Sequence, residues 1–141
     1  MKKDDRLLFL MSRAQHAVSE YTKKKFIEEK ISISPAQMGI LFLLQKGNLR
    51  PMSELGKLLE IDNSTITGLV DRLEKSGFVE RSADPHDRRK WLISITETGE
   101  VEINQAKKVV KEVNGKVKEG FSENEIDCFR KVLGDFLVKF R

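Results

Sequence analysis

Three residues, Glu60-Ile61-Asp62, separate two short helical patterns, and that gap limits the fold more than any other feature of the chain. The first pattern opens at Pro51 and runs through Leu59, with Leu55, Leu58 and Leu59 facing inward. The second runs from Asn63 to Ser76, capped by Asp62 and ended by Gly77. Within it, Ile66, Leu69, Val70 and Leu73 follow the i, i+3, i+4, i+7 spacing of a buried stripe. So short a connection turns one helix sharply against the next, as in a helix-turn-helix pair. Asn63, Ser64, Thr67, Gly68, Asp71, Arg72 and Lys75 are left toward solvent, a face that is small and polar at its start and basic toward its end.

A hairpin follows at once. Phe78-Val79-Glu80-Arg81 and Trp91-Leu92-Ile93-Ser94-Ile95 have strand-forming composition, the second alternating through Ile93-Ser94-Ile95, and a turn-forming Asp84-Pro85 lies between them. Arg88, Arg89 and Lys90 are expected at the tip of this hairpin.

Helices flank the pair and its hairpin. From Asp5 to about Lys30, Leu7, Leu8, Met11, Ala14, Ala17, Val18, Tyr21 and Phe26 recur at spacings of three and four, which predicts a long amphipathic helix. Next, Ser34 reads as an N-cap, Pro35 as the first helical position, Gln37 as the partner in a capping box, and Ile33 with Met38 as a hydrophobic staple. The nearly all-apolar run Ile40 to Leu44 makes this a central helix, and Gly47-Asn48 stops it. Beyond the hairpin, Thr96 caps a long charged helix with a narrow stripe of Val101, Ala106, Val109, Val110, Val113 and Val117, of the kind that seeks a partner helix. Ser122 and Glu125 repeat the capping box, and the last helix carries Phe129, Val132, Leu133, Phe136, Leu137 and Phe140, an aggregation liability if left to water alone. The fold class expected is mainly α with a small two- to three-stranded β wing: a winged helix-turn-helix module at 34–96 between helical regions at 1–33 and 97–141.

The charge balance is only mildly basic, 26 Lys plus Arg against 22 Asp plus Glu, so where the charge sits matters more than its sum. No apolar run approaches the roughly 20 residues of a membrane span, and the start, Met1 to Arg6, is unlike a signal peptide; a cytoplasmic protein is expected. Cys128 is the one cysteine, which permits no internal disulfide, and His16 and His86 stand too far apart in sequence for metal-ligand spacing. Neither a nucleophile-base pair, a phosphate loop nor a paired-carboxylate site is evident, so neither an enzyme nor a cofactor is expected. His16 reads as a plain helix residue, Trp91 as a strand residue packing the wing, and Cys128 as a core cysteine.

The chemistry of the middle module suits duplex DNA. A helix entering the major groove needs short polar side chains near its N-terminus, and Asn63, Ser64, Thr65 and Thr67 are of that kind, with Arg72 and Lys75 further along for backbone contact. A wing arginine suits the narrow minor groove, where negative potential concentrates; Arg88 and Arg89 are the candidates. Plainer readings stand beside these. Small polar residues at a helix start also serve as caps, Asp87 beside Arg88 and Arg89 can be a surface ion pair, and wing cations can meet an acidic protein in a winged-helix interaction module.

With these elements in order, the sequence resembles the MarR family of bacterial transcriptional regulators over essentially its whole length. The wing pattern D-x-R-x-x-x-L-x-L-T is met by Asp87, Arg89, Ile93, Ile95 and Thr96, with Ile at both Leu positions. Met52-Ser53-Glu54-Leu55, Ser64-Thr65-Ile66-Thr67, and Leu69 to Lys75 leading to Gly77-Phe78-Val79-Glu80-Arg81 continue the likeness. The resemblance implies that Asn63 to Gly68 read the major groove, that Asp87 orients the wing, and that Arg89 and Arg88, with Lys90 beside them, approach the minor groove. Gly68 departs from the larger polar residue common in the family. A homodimer formed by the first and last two helices is also implied, and with it a pseudo-palindromic operator read by two helices about 34 Å apart. Such repressors release DNA on binding small aromatic or phenolic anions between the helical region and the winged module. The corresponding walls here are Met11, Arg13, His16 and Ala17 with Met38 and Phe42. Relatives that sense peroxide use an N-terminal cysteine, a position Cys128 does not occupy.

Overall fold

In the computed structural model, which describes residues 6–141, the capping box at Ser34 is formed. Its hydroxyl accepts the Gln37 N–H at 3.2 Å, and the Gln37 side chain accepts the Ser34 N–H at 2.8 Å. The elements in chain order are α1 (Leu7–Glu28), α2 (Pro35–Lys46), β1 (Arg50–Pro51), α3 (Met52–Leu59), α4 (Asn63–Lys75), β2 (Val79–Asp84), β3 (Asp87–Ile95), α5 (Glu97–Lys118) and α6 (Glu123–Lys139). The expected first-helix start at Asp5 lies outside the described residues. Six helices and an antiparallel sheet of order β1-β3-β2 make a winged-helix architecture. The chain divides into two compact units between Val109 and Val110.

In the first unit, α2 is central, as its composition requires. Ile40, Leu41 and Leu44 are buried, and α2 packs against α3, α4 and β3. Leu55, Ile66, Val70, Leu73, Val79 and Ile93 complete that core, with Ile103 and Ala106 from the start of α5. At the end of α2, the Arg50 Nε donates to the Gly47 carbonyl at 2.7 Å and, at 3.1 Å, to the Leu43 carbonyl, which also accepts the Gly47 N–H. Pro51 is the N-cap of α3, whose first residue is Met52, one position after the expected start. Arg50 and Pro51 also form the edge strand β1, pairing Arg50 with Ile93 and Pro51 with Leu92, an edge position being one that proline tolerates.

Two inward assignments are corrected. Leu58 is 52% exposed, because the buried arc of α3 centres on Leu55, Gly56 and Leu59. A Cβ at Gly56 would lie 3.1 Å from the Ile61 carbonyl and 3.5 Å from Ile66, which seats that side of the helix against the turn and rotates Leu58 out. Val101 is likewise exposed. The inner face of α5 begins instead with Gly99, Glu102 and Ile103, and Glu102 accepts hydrogen bonds from the Ser32 N–H at 2.9 Å and the Ser32 hydroxyl at 2.8 Å. A charged residue anchors that stripe, so counting apolar positions displaces it.

The hairpin is longer than its apolar flanks. Strands β2 and β3 pair in one register from Val79↔Ile95 to Ala83↔Trp91, then shift so that Asp84 faces Asp87. Arg88, Arg89 and Lys90 therefore lie within β3, in the stretch where the ladder slips, and the tip itself is Pro85-His86. This corrects their expected place on the tip. Trp91 is half-exposed on the wing.

In the second unit, the Ser122 capping box is formed through Glu125, at 3.2 Å to the Ser122 hydroxyl and 3.0 Å from the Ser122 N–H. The last helix leaves Phe129, Val132, Leu133, Leu137, Val138 and Phe140 exposed. Cys128 is exposed as well, which corrects its assignment to the core: α6 has an apolar side, yet none of its residues is buried. Among the described residues no helix is long and apolar enough to cross a membrane.

Strand β3 meets α5 with little room to spare. Thr96 donates its N–H to the Phe78 carbonyl at 3.1 Å and its hydroxyl to the Gly77 carbonyl at 2.6 Å, while accepting the Gly99 N–H at 3.0 Å as the cap of α5. A Cβ at Gly99 would collide with the Phe78 carbonyl and stand 2.8 Å from Ile95 Cγ1. Backbone cannot move aside here without breaking the Thr96 bond, so Gly99→Ala is expected to cost about 2–3 kcal/mol. Urea unfolding of the variant beside the parent checks this, and equal midpoints would refute it.

Candidate nucleic-acid interface

Helix α4 begins at a cap that also sets its electrostatics. The Asp62 carboxylate accepts the Thr65 N–H at 2.8 Å and the Ser64 hydroxyl at 2.9 Å. These bonds, the Thr65 backbone first, hold its pKa below the ordinary carboxylate value. The helix N-terminus is thus occupied by an internal anion. Ile66, Leu69, Val70 and Leu73 are buried beneath the helix, as their spacing requires, leaving Asn63, Ser64 and Thr65 exposed and Thr67 and Gly68 half-buried.

The hydroxyls on this face are already engaged. Ser64 donates to Asp62, and Thr67 donates to the Asn63 carbonyl at 2.7 Å with the Met52 sulfur at 3.5 Å. Each keeps acceptor capacity, so without rearrangement these residues meet a partner as acceptors. Further along, Arg72 and Lys75 are exposed in the last turn. The Arg72 Nε donates to the Gly68 carbonyl at 3.2 Å.

On the wing, two aspartates fold the loop. Asp84 accepts the His86 N–H at 2.9 Å, and Asp87 accepts both the Arg89 N–H at 3.0 Å and the Arg89 Nε at 3.3 Å. The Arg89 side chain remains 92% exposed, so Asp87 fixes its root and leaves the guanidinium available. Arg88 and Lys90 are also exposed. Lys90 and Asn63 line one groove of about 950 Å³, together with Ser53, Lys57 and Asp62. The structure thereby brings the start of α4, the wing and α3 to a common surface. Ser53 and Lys57 belong to that surface as well; in the sequence Ser53 stands only within the Met52-Ser53-Glu54-Leu55 likeness and Lys57 carries no signal of its own.

Wing and helix are joined by a residue that composition did not mark. The Arg81 guanidinium, four-fifths buried, reaches from β2 to α4, where its Nη2 donates to Asp71 and its Nε lies 3.6 Å from Glu74. That Nε is buried and has no hydrogen-bond acceptor. Arg81 thus clamps the base of the wing to the far end of α4.

The six residues taken as ligand walls are arranged differently. Met11, Arg13, His16 and Ala17 are exposed along α1, with the Arg13 guanidinium 5.8 Å from the Phe9 ring centre. On α2, Met38 is half-buried, and the Phe42 ring carries the ammonium groups of Lys46 and Lys107 at 4.8 and 4.9 Å. None of the six lines the groove beside α4.

A sequence model of the MarR family matches residues 33–91. The HTH-type transcriptional repressor YetL of Bacillus subtilis (strain 168) is 32% identical over 134 residues, covering 94% of this chain and 77% of YetL. The uncharacterized HTH-type transcriptional regulator YfiV of the same organism is 41% identical over 68 residues; the alignment covers 48% of this chain and less than half, 42%, of YfiV. Among solved structures, the transcriptional repressor CouR bound to a 23-mer DNA duplex matches with a TM-score of 0.84 and 25% identity, over 97% of this chain and 99% of that one.

Removing the Arg81 clamp leaves Asp71 and Glu74 without their cation. Both acids are about half exposed, so solvent screens much of the loss. Arg81→Met is expected to destabilise by about 1–2 kcal/mol, between the values for exposed and buried pairs. A thermal melt of this variant that matches the parent would show that the clamp contributes nothing.

Proposed function

Because the chain belongs to the MarR family of winged-helix transcriptional regulators, we propose that it is a repressor that binds double-stranded DNA as a homodimer at a pseudo-palindromic operator. The observation that carries this reading is the common surface. The polar start of α4 and the cations of β3 belong to one module whose helix and wing are clamped by Arg81. CouR, whose fold matches along nearly the whole chain, is a repressor solved bound to a DNA duplex, which supports double-stranded DNA as the partner.

In this reading Asn63, Ser64, Thr65, Thr67 and Gly68 enter the major groove, where a helix fits and each base pair presents a distinct donor and acceptor pattern. Arg72 and Lys75 follow along the same helix. Arg89, rooted by Asp87, enters the minor groove with Arg88, and Lys90 adds charge at the groove edge. The second copy covers the exposed apolar side chains of α1 and α6, including Leu7, Leu8, Phe129 and Leu137. Two-fold symmetry then sets two recognition helices about one DNA turn apart. Release by a small aromatic anion at Met11, Arg13, His16, Ala17, Met38 and Phe42 suits the cation-flanked Phe42 ring. Acting on genomic DNA puts the protein in the cytoplasm.

Two measurements test this. Binding to duplexes from the protein's own upstream region, followed by fluorescence anisotropy, is expected to weaken steeply with salt, as release of counterions from several phosphates requires. Arg89→Ala is expected to lower that affinity about tenfold, or 1.4 kcal/mol; unchanged binding removes the wing from the mechanism. Loss of every duplex interaction in the parent protein would leave the module as a protein-binding one. Deleting residues 136–141 is expected to give a poorly soluble monomer by sedimentation, and a well-behaved dimer from the truncated chain would exclude α6 from the interface.

A further inference from the structure

Gly68 stands mid-helix on the outward face of α4, where glycine needs a reason. The glycines at 56 and 99 have one inside the protomer, since a Cβ at either would press on backbone carbonyls. At 68 the nearest atom to an added Cβ is Arg72 Nη2, at 3.6 Å, an ordinary contact. Packing therefore makes no demand for glycine at this position. Gly115 and Gly134 are equally unconstrained in their helices, so a missing side chain gains meaning at 68 only from what occupies the space it leaves.

What fills the space is Arg72. Side chains on a helix lean toward its N-terminus, so a residue at i+4 overlies the turn before it. With no side chain at 68, the Arg72 guanidinium lies back on the helix, its Nε donating to the Gly68 carbonyl at 3.2 Å. It forms no ion pair among the described residues, in contrast to Arg81, which two carboxylates hold. Ser64, Gly68 and Arg72 fall on one line at i, i+4 and i+8, so the folded-back guanidinium joins the row of small polar groups at the start of α4.

Resting on the DNA-binding reading above, we propose that Gly68 and Arg72 form one base-reading unit, in which the side-chain-free turn seats the guanidinium low on the helix and its Nη groups donate to O6 and N7 of a guanine. Arg72 is then a specificity determinant and not a phosphate contact. A guanidinium fits that purine edge with two parallel hydrogen bonds, and no lysine reproduces the fork.

The two roles leave different marks. A base contact, when removed, erases preference at one position and leaves the salt dependence unchanged; a phosphate contact weakens all sequences alike and lowers the slope of log K against log salt by about 0.9. Full-length protein is used to select duplexes from a random pool, and the selected site and variants of it are titrated at several salt concentrations. Arg72→Ala is expected to lose preference for one G·C pair in each half-site, the selected duplex binding roughly 5- to 150-fold less tightly at an unchanged slope, and Arg72→Lys, which keeps the charge and donors but not the planar fork, to weaken that preference by less. Gly68→Gln, which fills the space taken by the guanidinium, is expected to lose preference at that same pair, and circular dichroism melts establish that each variant is folded. Uniform weakening with a shallower slope, or an unaltered preference in folded Arg72→Ala, overturns this proposal while leaving DNA binding intact. A parent protein that enriches no duplex overturns both.

Discussion

The meeting of the Phe78 carbonyl with Gly99 is the constraint on which the winged module depends. Four segments converge there: the exit from α4 through Gly77 at φ 80°, the first residues of β2, the end of β3, and the first turn of α5. The Phe78 carbonyl takes the Thr96 N–H, and its approach to α5 leaves no space for a Cβ at 99. A wing whose two ends are fixed so closely cannot swing about its root as a loose hairpin would. Arg81 adds a second point of attachment along β2, so the angle between wing and α4 is determined by two separate contacts.

Electrostatics divides the surface more sharply than the net charge of +4 implies. Acidic groups near the candidate interface are mostly engaged in shaping it. Asp62 caps α4, Asp84 and Asp87 fold the wing loop, and Asp71 with Glu74 holds Arg81. The cations differ in fate. Arg81 is consumed by structure, whereas the Arg89 guanidinium projects with its root held and Arg88 and Lys90 are exposed. On the wing the carboxylates are held at the root of the loop by backbone N–H groups while the cations project beyond them.

What the sequence made legible follows the range of each interaction. Capping boxes at Ser34 and Ser122 and the Asp62 cap act over three residues, so spacing alone identifies them. The buried stripe of α4 was equally readable, being a strong period on one helix. Leu58 and Val101 were not, since the facing of α3 is set by the close fit of Gly56 and that of α5 by the bond between Glu102 and Ser32, seventy positions apart. The cations of the wing were recognised as a set but set on the tip, because a register slip at Ala83/Asp84 has no signature in composition. Arg81 read as one charge in a strand; its partners lie on another element, and only the fold joins them.

The same distinction explains why α5 is held to the winged module by polar anchors as well as by apolar burial. Ile103, Ala106 and Val109 would pack tolerably in neighbouring positions, since apolar contact is not directional. Glu102 on Ser32, and the Gln45 Nε2 reaching Glu100 at 2.7 Å and Asn104 at 3.1 Å, accept only one axial and rotational setting. Sliding α5 by one residue would leave a buried carboxylate without donors, at a cost far above the apolar area regained. The first turns of α5 are therefore indexed against β3 and α2 by hydrogen bonds.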